Sequence, residues 1–567
     1  MNKTFFVKIT LLLILLPSFI WILLKIFGSV LYGNSILFPY ALHPFDIACL
    51  YPTTWKKIKF LFLLSCSFSF FLIVNQTFNF ISTNYKGIPK LKIRRKTELE
   101  EKKCDLSILI GLYNNIPYYL PEFGLYQNIL ITGTIGTGKT SSAMYPFTKQ
   151  LINYEANDHD EKLAMLILDV KGNYFKEVIN FANQSNRLSD IITIDLSGRF
   201  KYNPLDKPEL KPIVLANRLK TILTLFSPNN QESFWLDKSE QILSECIKFC
   251  RLYNDGYVTF SELHKLIFYT DYYQEKLSIL KEMFRKGKFN ESEVYDLLYC
   301  IDFFEKEFFS LDSRTLSILR SEISRITNIF VSDYSVLNTF CPSKKNINFY
   351  GFKDVLNSGK IVVLNMNISE YKNLSKIIAA YLKLDFQSEV MSRLGKNVSI
   401  RKSVFISDEF HEYVTTTDAD FFAQSREAKC INIVATQSYS SIKNALKDDN
   451  STKVIIQNMI NKIWYRTDDL YTIEEAQKQI GKEDKIKISK TISENARETK
   501  LNFITNSLIS SNSSISESYN KSTNKEFIYD TNYFTQKLKT FKSLVFLSDG
   551  SKVLPIKELD MLPFYKD

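Results

Sequence analysis

The sequence predicts an α/β protein: two membrane-spanning helices at the N-terminus, then a doubly wound domain interrupted by an all-α insertion. Three observations predict it. Two uncharged apolar runs lie within the first 85 residues. A glycine-rich loop follows a short apolar strand and opens a helical stretch. Beyond that loop, strand-like and helix-like segments alternate, the rhythm of a largely parallel sheet with helices on both faces.

Residues 1–85 form the expected anchor. Its first run spans about 5–27, with Ile9 to Leu24 free of charge and Lys8 and Lys25 near the ends, where long side chains snorkel to the interface. The second, about 60–81, is uncharged and dense in Phe and Leu. Each is roughly 20 residues long, enough to cross a bilayer core. A cleaved signal peptide fits less well, because no small-residue cleavage site follows the first run and the second would still span. A buried hairpin is disfavoured by the spanning length of both runs. Lys86, Lys90, Lys92, Arg94, Arg95 and Lys96 follow the second run and predict a cytoplasmic side there. Lys56, Lys57 and Lys59, on the outer side, run against that rule. The expectation is a multi-pass protein of the inner (cytoplasmic) membrane, with the large C-terminal part in the cytoplasm.

A chain of 567 residues has room for two or more folded units. With 72 basic and 61 acidic residues the net charge is +11. That suits a phosphate backbone or an anionic membrane, and equally a large soluble surface, so charge is supporting evidence only. The eight cysteines form no C-x-x-C pair and no Cys/His cluster with zinc spacing, which excludes a structural zinc site and points to a reducing compartment.

Residues Tyr126 to Thr132 read as a short apolar strand, and G-T-I-G-T-G-K-T follows at Gly133 to Thr140. This is G-x-x-x-x-G-K-[ST] in its strand–loop–helix setting, which separates it from a glycine-rich turn with a chance lysine. Gly133, Gly136 and Gly138 let the backbone curl so that N–H groups point at phosphate oxygens, and the helix start adds a positive end. The loop Gly133, Thr134, Ile135, Gly136, Thr137, Gly138, Lys139, Thr140 and Ser141 is thus the expected nucleotide cradle. Lys139 is expected to reach the β and γ phosphates, and the Thr140 hydroxyl to ligate Mg²⁺. The expected cofactors are ATP and Mg²⁺.

Such a loop needs a carboxylate on a nearby strand. Two strands offer one. K-L-A-M-L-I-L-D ends at Asp169, and S-V-F-I-S-D-E ends at Asp408 and Glu409. The second is preferred: adjacent acids let Asp408 hold Mg²⁺ through water while Glu409 activates the attacking water. Without the loop, acids at a strand-to-helix junction would be ordinary caps. Asp169, followed by Lys171 and Gly172, looks like a structural turn facing the site. Further on, A-Q-S-R-E-A-K leads into a strand that finishes near Gln437, a candidate γ-phosphate sensor. Arg426, eleven positions earlier, could reach a phosphate within the subunit or across a subunit boundary; alone it would read as a surface arginine.

The order of two apolar runs, G-T-I-G-T-G-K-T, I-L-D-V-K-G, Y-N-P-L, S-F-W, G-K-I-V-V-L-N, S-D-E-F, S-R-E-A-K, A-T-Q-S and N-M-I-N-K resembles the VirD4/TraG coupling proteins of type IV secretion and conjugation. The resemblance runs from the N-terminus to about Lys482 and weakly beyond. It implies a RecA-like P-loop ATPase in which Lys139 and Thr140 bind nucleotide, Asp408 and Glu409 form the acidic motif, and Arg426 and Gln437 complete the site. Arg426 would act as an arginine finger on a neighbour's ATP. It also implies a homo-hexameric ring that passes single-stranded DNA bound to a relaxase, or a protein, into a type IV secretion channel. Val170 and Asn173 replace the proline and acid usual around the K-G motif, and Ser407 is more polar than expected. No long acidic C-terminal tail is present, so tail-mediated recruitment of an accessory protein is unsupported.

Residues 86–235 are expected to form the first part of the nucleotide-binding domain and 346–567 the second. Between them, residues 236–345 are rich in helix formers and aromatics without a strand series, an inserted all-α domain that the family would use for substrate recognition. A flexible polar excursion is expected at about 490–524, then strands at Ser543 to Leu547 and Lys552 to Ile556. Two rivals remain: a double-stranded DNA translocase of the septal type, which would normally carry a winged-helix module not visible here, and a non-hydrolysing membrane scaffold. A protein-only secretion ATPase is also open.

Overall fold

The computed structural model describes residues 106–565 apart from 170, 227–232, 396–399, 495–498, 503–506 and 511–514, together with Thr53, Lys56 and Phe60. Met1–Lys102 and Lys103–Asp567 are two separate units, and the second holds nearly all of the described residues. Apart from Phe60, both expected membrane spans lie outside the described residues. Among the described residues no helix is long and apolar enough to cross a membrane.

One large sheet organises the second unit. Its strands are β1 (Ser107–Tyr113), β2 (Ile116–Pro121), β3 (Ile129–Thr132), β4 (Ala164–Leu168), β5 (Ile191–Ile194), β6 (Ile361–Leu364), β7 (Ser403–Ser407), β8 (Cys430–Thr436) and β9 (Asn461–Trp464). After a ribbon formed by β10 (Lys482–Glu494), β11 (Thr499–Asn502), β12 (Ser507–Ser510) and β13 (Ile515–Phe527), the sheet ends with β14 (Lys542–Phe546) and β15 (Lys557–Asp560). The spatial order is β2-β1-β15-β14-β9-β3-β8-β7-β4-β6-β5. From β9 to β5 neighbours run parallel, while β14, β15, β1 and β2 form an antiparallel edge.

The parallel strands are short and, Thr193 of β5 apart, wholly buried, as in I-L-I-T of β3 and I-V-V-L of β6, because helices cover both faces. Alternate side chains feed separate cores. Leu130, Leu166 and Phe405 join the larger cluster, whereas Ile129, Ile131, Met165 and Ile167 face Phe147 and Leu151 on the other side.

Between β5 and β6 the described residues contain helices and no named strand, the longest being Ser233–Tyr253, Thr270–Arg285 and Ser313–Thr327. The helical stretch opens at Pro212–Thr224, ahead of residue 236 where the sequence suggested it. Local chemistry sets its boundaries: Thr259 with Glu262 and Asn290 with Glu293 form reciprocal capping boxes at two helix starts. Cys246, Phe249 and Phe304 of this region share one core cluster with Leu130 and Leu166 of the sheet. The Y-N-P-L segment pins its root. The Tyr202 hydroxyl donates to Asp385 at 2.8 Å, the Asn203 amide to the Val258 carbonyl at 2.7 Å, and Pro204 O accepts from Tyr381 at 2.8 Å. Asp385 also pairs with Lys207 at 3.0 Å and Arg218 at 3.2 Å.

Two local expectations need correction. Of the stretch at about 490–524, expected as a flexible polar excursion, the described residues lie in paired strands: β10 and β13 pair antiparallel from Lys482↔Phe527 to Glu494↔Ile515, with β11 and β12 paired beyond. The described side chains of this ribbon are mostly exposed, so little apolar alternation marks its strands in the sequence. The last strand is Lys557–Asp560, not Lys552 to Ile556. Pro555 removes a ladder donor there, and only Val553 bridges, to Ser548.

Candidate nucleotide site

β3 lies inside the parallel array, between β8 and β9, with Ile129 level with Ile433 and Asn461. Its carboxyl end delivers Gly133 to the rim of the sheet, where open α/β folds bind ligands. Gly133 N–H donates to the Gln437 carbonyl at 3.2 Å and Thr134 N–H to the Arg466 carbonyl at 2.9 Å, so neighbouring strand exits hold the loop from both sides. Gly138 has φ +100°, and a Cβ there would come within 2.6 Å of the Phe541 ring. The loop then enters a π-helical turn, Thr140–Met144, and the helix Tyr145–Asn153.

Lys139 is buried and folds back over its own loop, donating to the carbonyls of Gly133 and of Thr134, the latter at 3.1 Å. Burial lowers its pKa, with Glu409 and Asp408 opposing. The Thr137 hydroxyl donates to Thr134 O at 2.8 Å, and Ser141 Oγ to Gly138 O at 3.4 Å, while Ile135 stands 78% exposed at the tip.

β7 reaches the same rim two places along. Thr140 Oγ1 donates to Asp408 Oδ2 at 3.2 Å, which brings the expected metal-ligand pair together. These hard oxygen donors fit Mg²⁺ held mainly by phosphate and water; among the described residues no group of three or more His, Cys, Asp or Glu forms a protein cage for a metal. Asp408 is fixed by its own backbone: its N–H donates to Leu168 O at 3.1 Å, and its carbonyl accepts from Tyr413 at 2.7 Å. Glu409 sits at φ +47°, ψ +48°, a left-handed conformation unusual for a side chain of its size and a mark of a constrained strand exit.

Three groups surround the Glu409 carboxylate. Lys171 Nζ lies 2.5 Å from Oε1 and 3.6 Å from Asp408 Oδ2. Gln437 Nε2 is 3.5 Å from Oε2, and His411 Nδ1 is 3.7 Å from the same oxygen. His411 also meets Thr436 Oγ1 at 3.2 Å. Burial tends to raise Glu409, but the hydrogen bond and charge of Lys171, with His411 and Lys139, outweigh it and hold the group below its ordinary value. Asp408 is raised by burial, with Lys171 opposing. For His411, burial prevails over its two acidic neighbours and lowers its pKa.

Sequence reasoning left Lys171 without a role and passed over His411. The available signal was a lysine three residues past β4, but only the order β8-β7-β4 shows that it faces the acids of β7. Asp169 closes the turn between β4 and the helix Tyr174–Gln184: its carboxylate accepts from the N–H groups of Lys171 at 2.9 Å, Asn173 at 3.2 Å and Tyr174 at 3.1 Å.

Arg426 is not brought to this site within the chain. It is exposed in the turn before β8, whose seven residues rise roughly 20 Å to the rim where Gln437 stands. Ser425 beside it is anchored by Asn432 at 2.9 Å, and Asn432 in turn donates to Asn128 at 2.6 Å.

Residues 402–530 match the family described as the TraM recognition site of TraD and TraG. That stretch carries β7, β8, β9, Asp408, Glu409, Arg426 and Gln437 as well as the ribbon. Among solved structures, the plasmid coupling protein TrwB in complex with ADP and Mg²⁺ aligns with a TM-score of 0.54 and 12% identity, over 83% of this chain and 91% of that one. The complex of TrwB with a non-hydrolysable GTP analogue aligns with a TM-score of 0.53 and 12% identity, over 82% and 90%. The unbound form, described as a bacterial conjugative coupling protein, aligns with a TM-score of 0.53 and 12% identity, over 82% and 89%. No curated protein matches the chain. The matched segment and the shared fold bear out the resemblance noted from the motifs.

Proposed function

We propose, from the premise that this is a VirD4/TraG-type coupling protein, that it is a membrane-anchored ATPase. On this reading it uses hydrolysis to pass single-stranded DNA with its relaxase into a type IV secretion channel. The observation that carries the reading is the meeting of Thr140 with Asp408 at 3.2 Å beneath a loop that also holds Lys139, with Glu409 and Gln437 on the same rim. An inner-membrane position and a homo-hexameric ring are parts of the same proposal, supported by the apolar N-terminal runs and by the distance of Arg426 from its own site.

The chemistry asks little covalent work of the protein. Loop N–H groups receive the phosphates, and Lys139 exchanges its loop carbonyls for β and γ oxygens. Mg²⁺, held through Thr140 and Asp408, would neutralise phosphate charge. Glu409 orients a water and accepts its proton, with its carboxylate fixed by Lys171, Gln437 and His411.

ATP hydrolysis by purified protein, with and without single-stranded DNA, tests this. Lys139→Ala is expected to abolish hydrolysis, and Glu409→Gln to keep nucleotide binding while slowing turnover by roughly 100-fold or more. Wild-type-like rates in both would leave a scaffold. DNA transfer undiminished by Glu409→Gln would overturn the export role.

A further inference from the structure

A P-loop grips phosphates and offers nothing flat to a nucleobase. Here two C-terminal segments run beside it and bring aromatic rings. Phe541 N–H donates to Thr137 O at 3.2 Å, and its ring lies against Gly138, where an added Cβ would come within 2.6 Å of Cδ1 and 2.8 Å of Cε1. Four residues along the loop, Phe564 N–H donates to Ser141 O at 2.9 Å. The next residue, Tyr565, is 59% exposed, with its ring 5.5 Å from that of Phe564. The two contacts therefore bracket Lys139 and Thr140, the turn from which the rest of a nucleotide would extend.

Phe541 also holds φ +62°. A bulky side chain in the left-handed region is a strained choice that asparagine or glycine would relieve, and such strain concentrates at ligand-contacting positions. The turn is nevertheless locked: Met561 N–H donates to Phe541 O at 2.7 Å. The neighbouring cation is spent elsewhere, since Lys542 pairs with Glu558 at 3.1 Å and Asp560 at 2.9 Å. Phe541 is half-buried with its ring against the loop, and Tyr565 is exposed.

We propose that Phe541, flanked by Tyr565, is the nucleobase platform of this site, taking the purine of a nucleoside triphosphate by stacking rather than by reading its hydrogen-bonding edge. This rests on the nucleotide site proposed above. Stacking on an aromatic side chain is indifferent to which base is stacked, so ATP and GTP are accepted alike and the base adds affinity that inorganic tripolyphosphate lacks.

Calorimetric titration of the full-length protein in detergent with the Mg²⁺ complexes of ATP, GTP and tripolyphosphate tests it. Wild type is expected to bind ATP and GTP within about 3-fold of each other and both about 10-fold or more tighter than tripolyphosphate. Phe541→Leu should weaken both nucleotides about 10-fold and leave tripolyphosphate unchanged, with Phe541→Tyr restoring them. Tyr565→Ser, at an exposed position outside the loop packing, should give a smaller loss of the same kind, and decides the matter should Phe541→Leu not fold. Equal wild-type affinity for tripolyphosphate and ATP, or equal weakening of all three ligands in the variants, would overturn the platform and leave the phosphate site standing. Wild type binding none of the three would remove both.

Discussion

Lys171 stands between two acids whose surroundings pull them apart. Asp408 is 2% exposed and raised by burial, while Glu409 is held down mainly by its contact with Lys171. Lys171 is itself half exposed, so its charge is partly screened and its removal should disturb stability little. Its geometry matters more, because it fixes Oε1 of the carboxylate proposed to hold the attacking water. Lys171→Met is therefore expected to lower kcat for ATP hydrolysis by roughly 10- to 100-fold with little change in KM. Steady-state kinetics on purified protein measure this; an unchanged kcat would reduce Lys171 to charge neutralisation. Asp169, directly after β4, is tied up with three backbone N–H groups and carries no comparable expectation.

Among the elements, β9 holds a cost that pH exposes. It pairs with the loop strand β3 and buries Lys462 level with Leu130. Lys462 donates to Met459 O at 2.7 Å and, among the described residues, has no carboxylate to compensate it, so burial lowers its pKa to about 8. Below that pH the folded protein carries a buried ammonium. Between about pH 8 and the ordinary lysine value near 10.4, the unfolded chain keeps a proton the folded chain has released, so stability rises with pH across that window. A shift of this size corresponds to about 3 kcal/mol. Thermal unfolding midpoints of wild type should climb from pH 7.5 to pH 10 relative to Lys462→Met; parallel curves would show that the lysine is not the source. The ribbon of β10 and β13 carries its information differently. Its register is continuous over thirteen pairs, yet lysine, serine and glutamate populate both strands, so its pairing carries what its composition does not.

At the scale of the whole molecule, the parallel sheet separates two residues that the resemblance assigns to one reaction. Glu409 is at the carboxyl rim, and Arg426 precedes β8 at the opposite one. No rotation of a side chain crosses that span. If Arg426 serves hydrolysis, it serves a neighbour's site, which makes the oligomer part of the catalyst. Arg426→Ala and Glu409→Gln should each be nearly inactive alone, yet mixed rings should hydrolyse ATP faster than either, because some interfaces pair an intact arginine with an intact glutamate. Mixing the two purified variants and measuring hydrolysis against each alone checks this. Absence of recovery, with subunit exchange shown by labelled chains, would return Arg426 to an ordinary surface arginine.

The loop Gly133 to Ser141, the acids Asp408 and Glu409 and the alternation of strands and helices were legible in the sequence because each is a local pattern: glycines where the backbone must curl, carboxylates at a strand exit, apolar runs of strand length. The pairing of β10 with β13 and the shift of the last strand to Lys557–Asp560 were not, since both depend on partners elsewhere in the chain. The same holds for the site. Sequence named the residues proposed to touch phosphate and metal by their type, but the surroundings of Lys171, His411 and Phe541 arise only where β4, β7 and the C-terminal segment converge on one rim of the sheet. A charge or a ring has no partner until strand order supplies one, and strand order is a property of the folded chain.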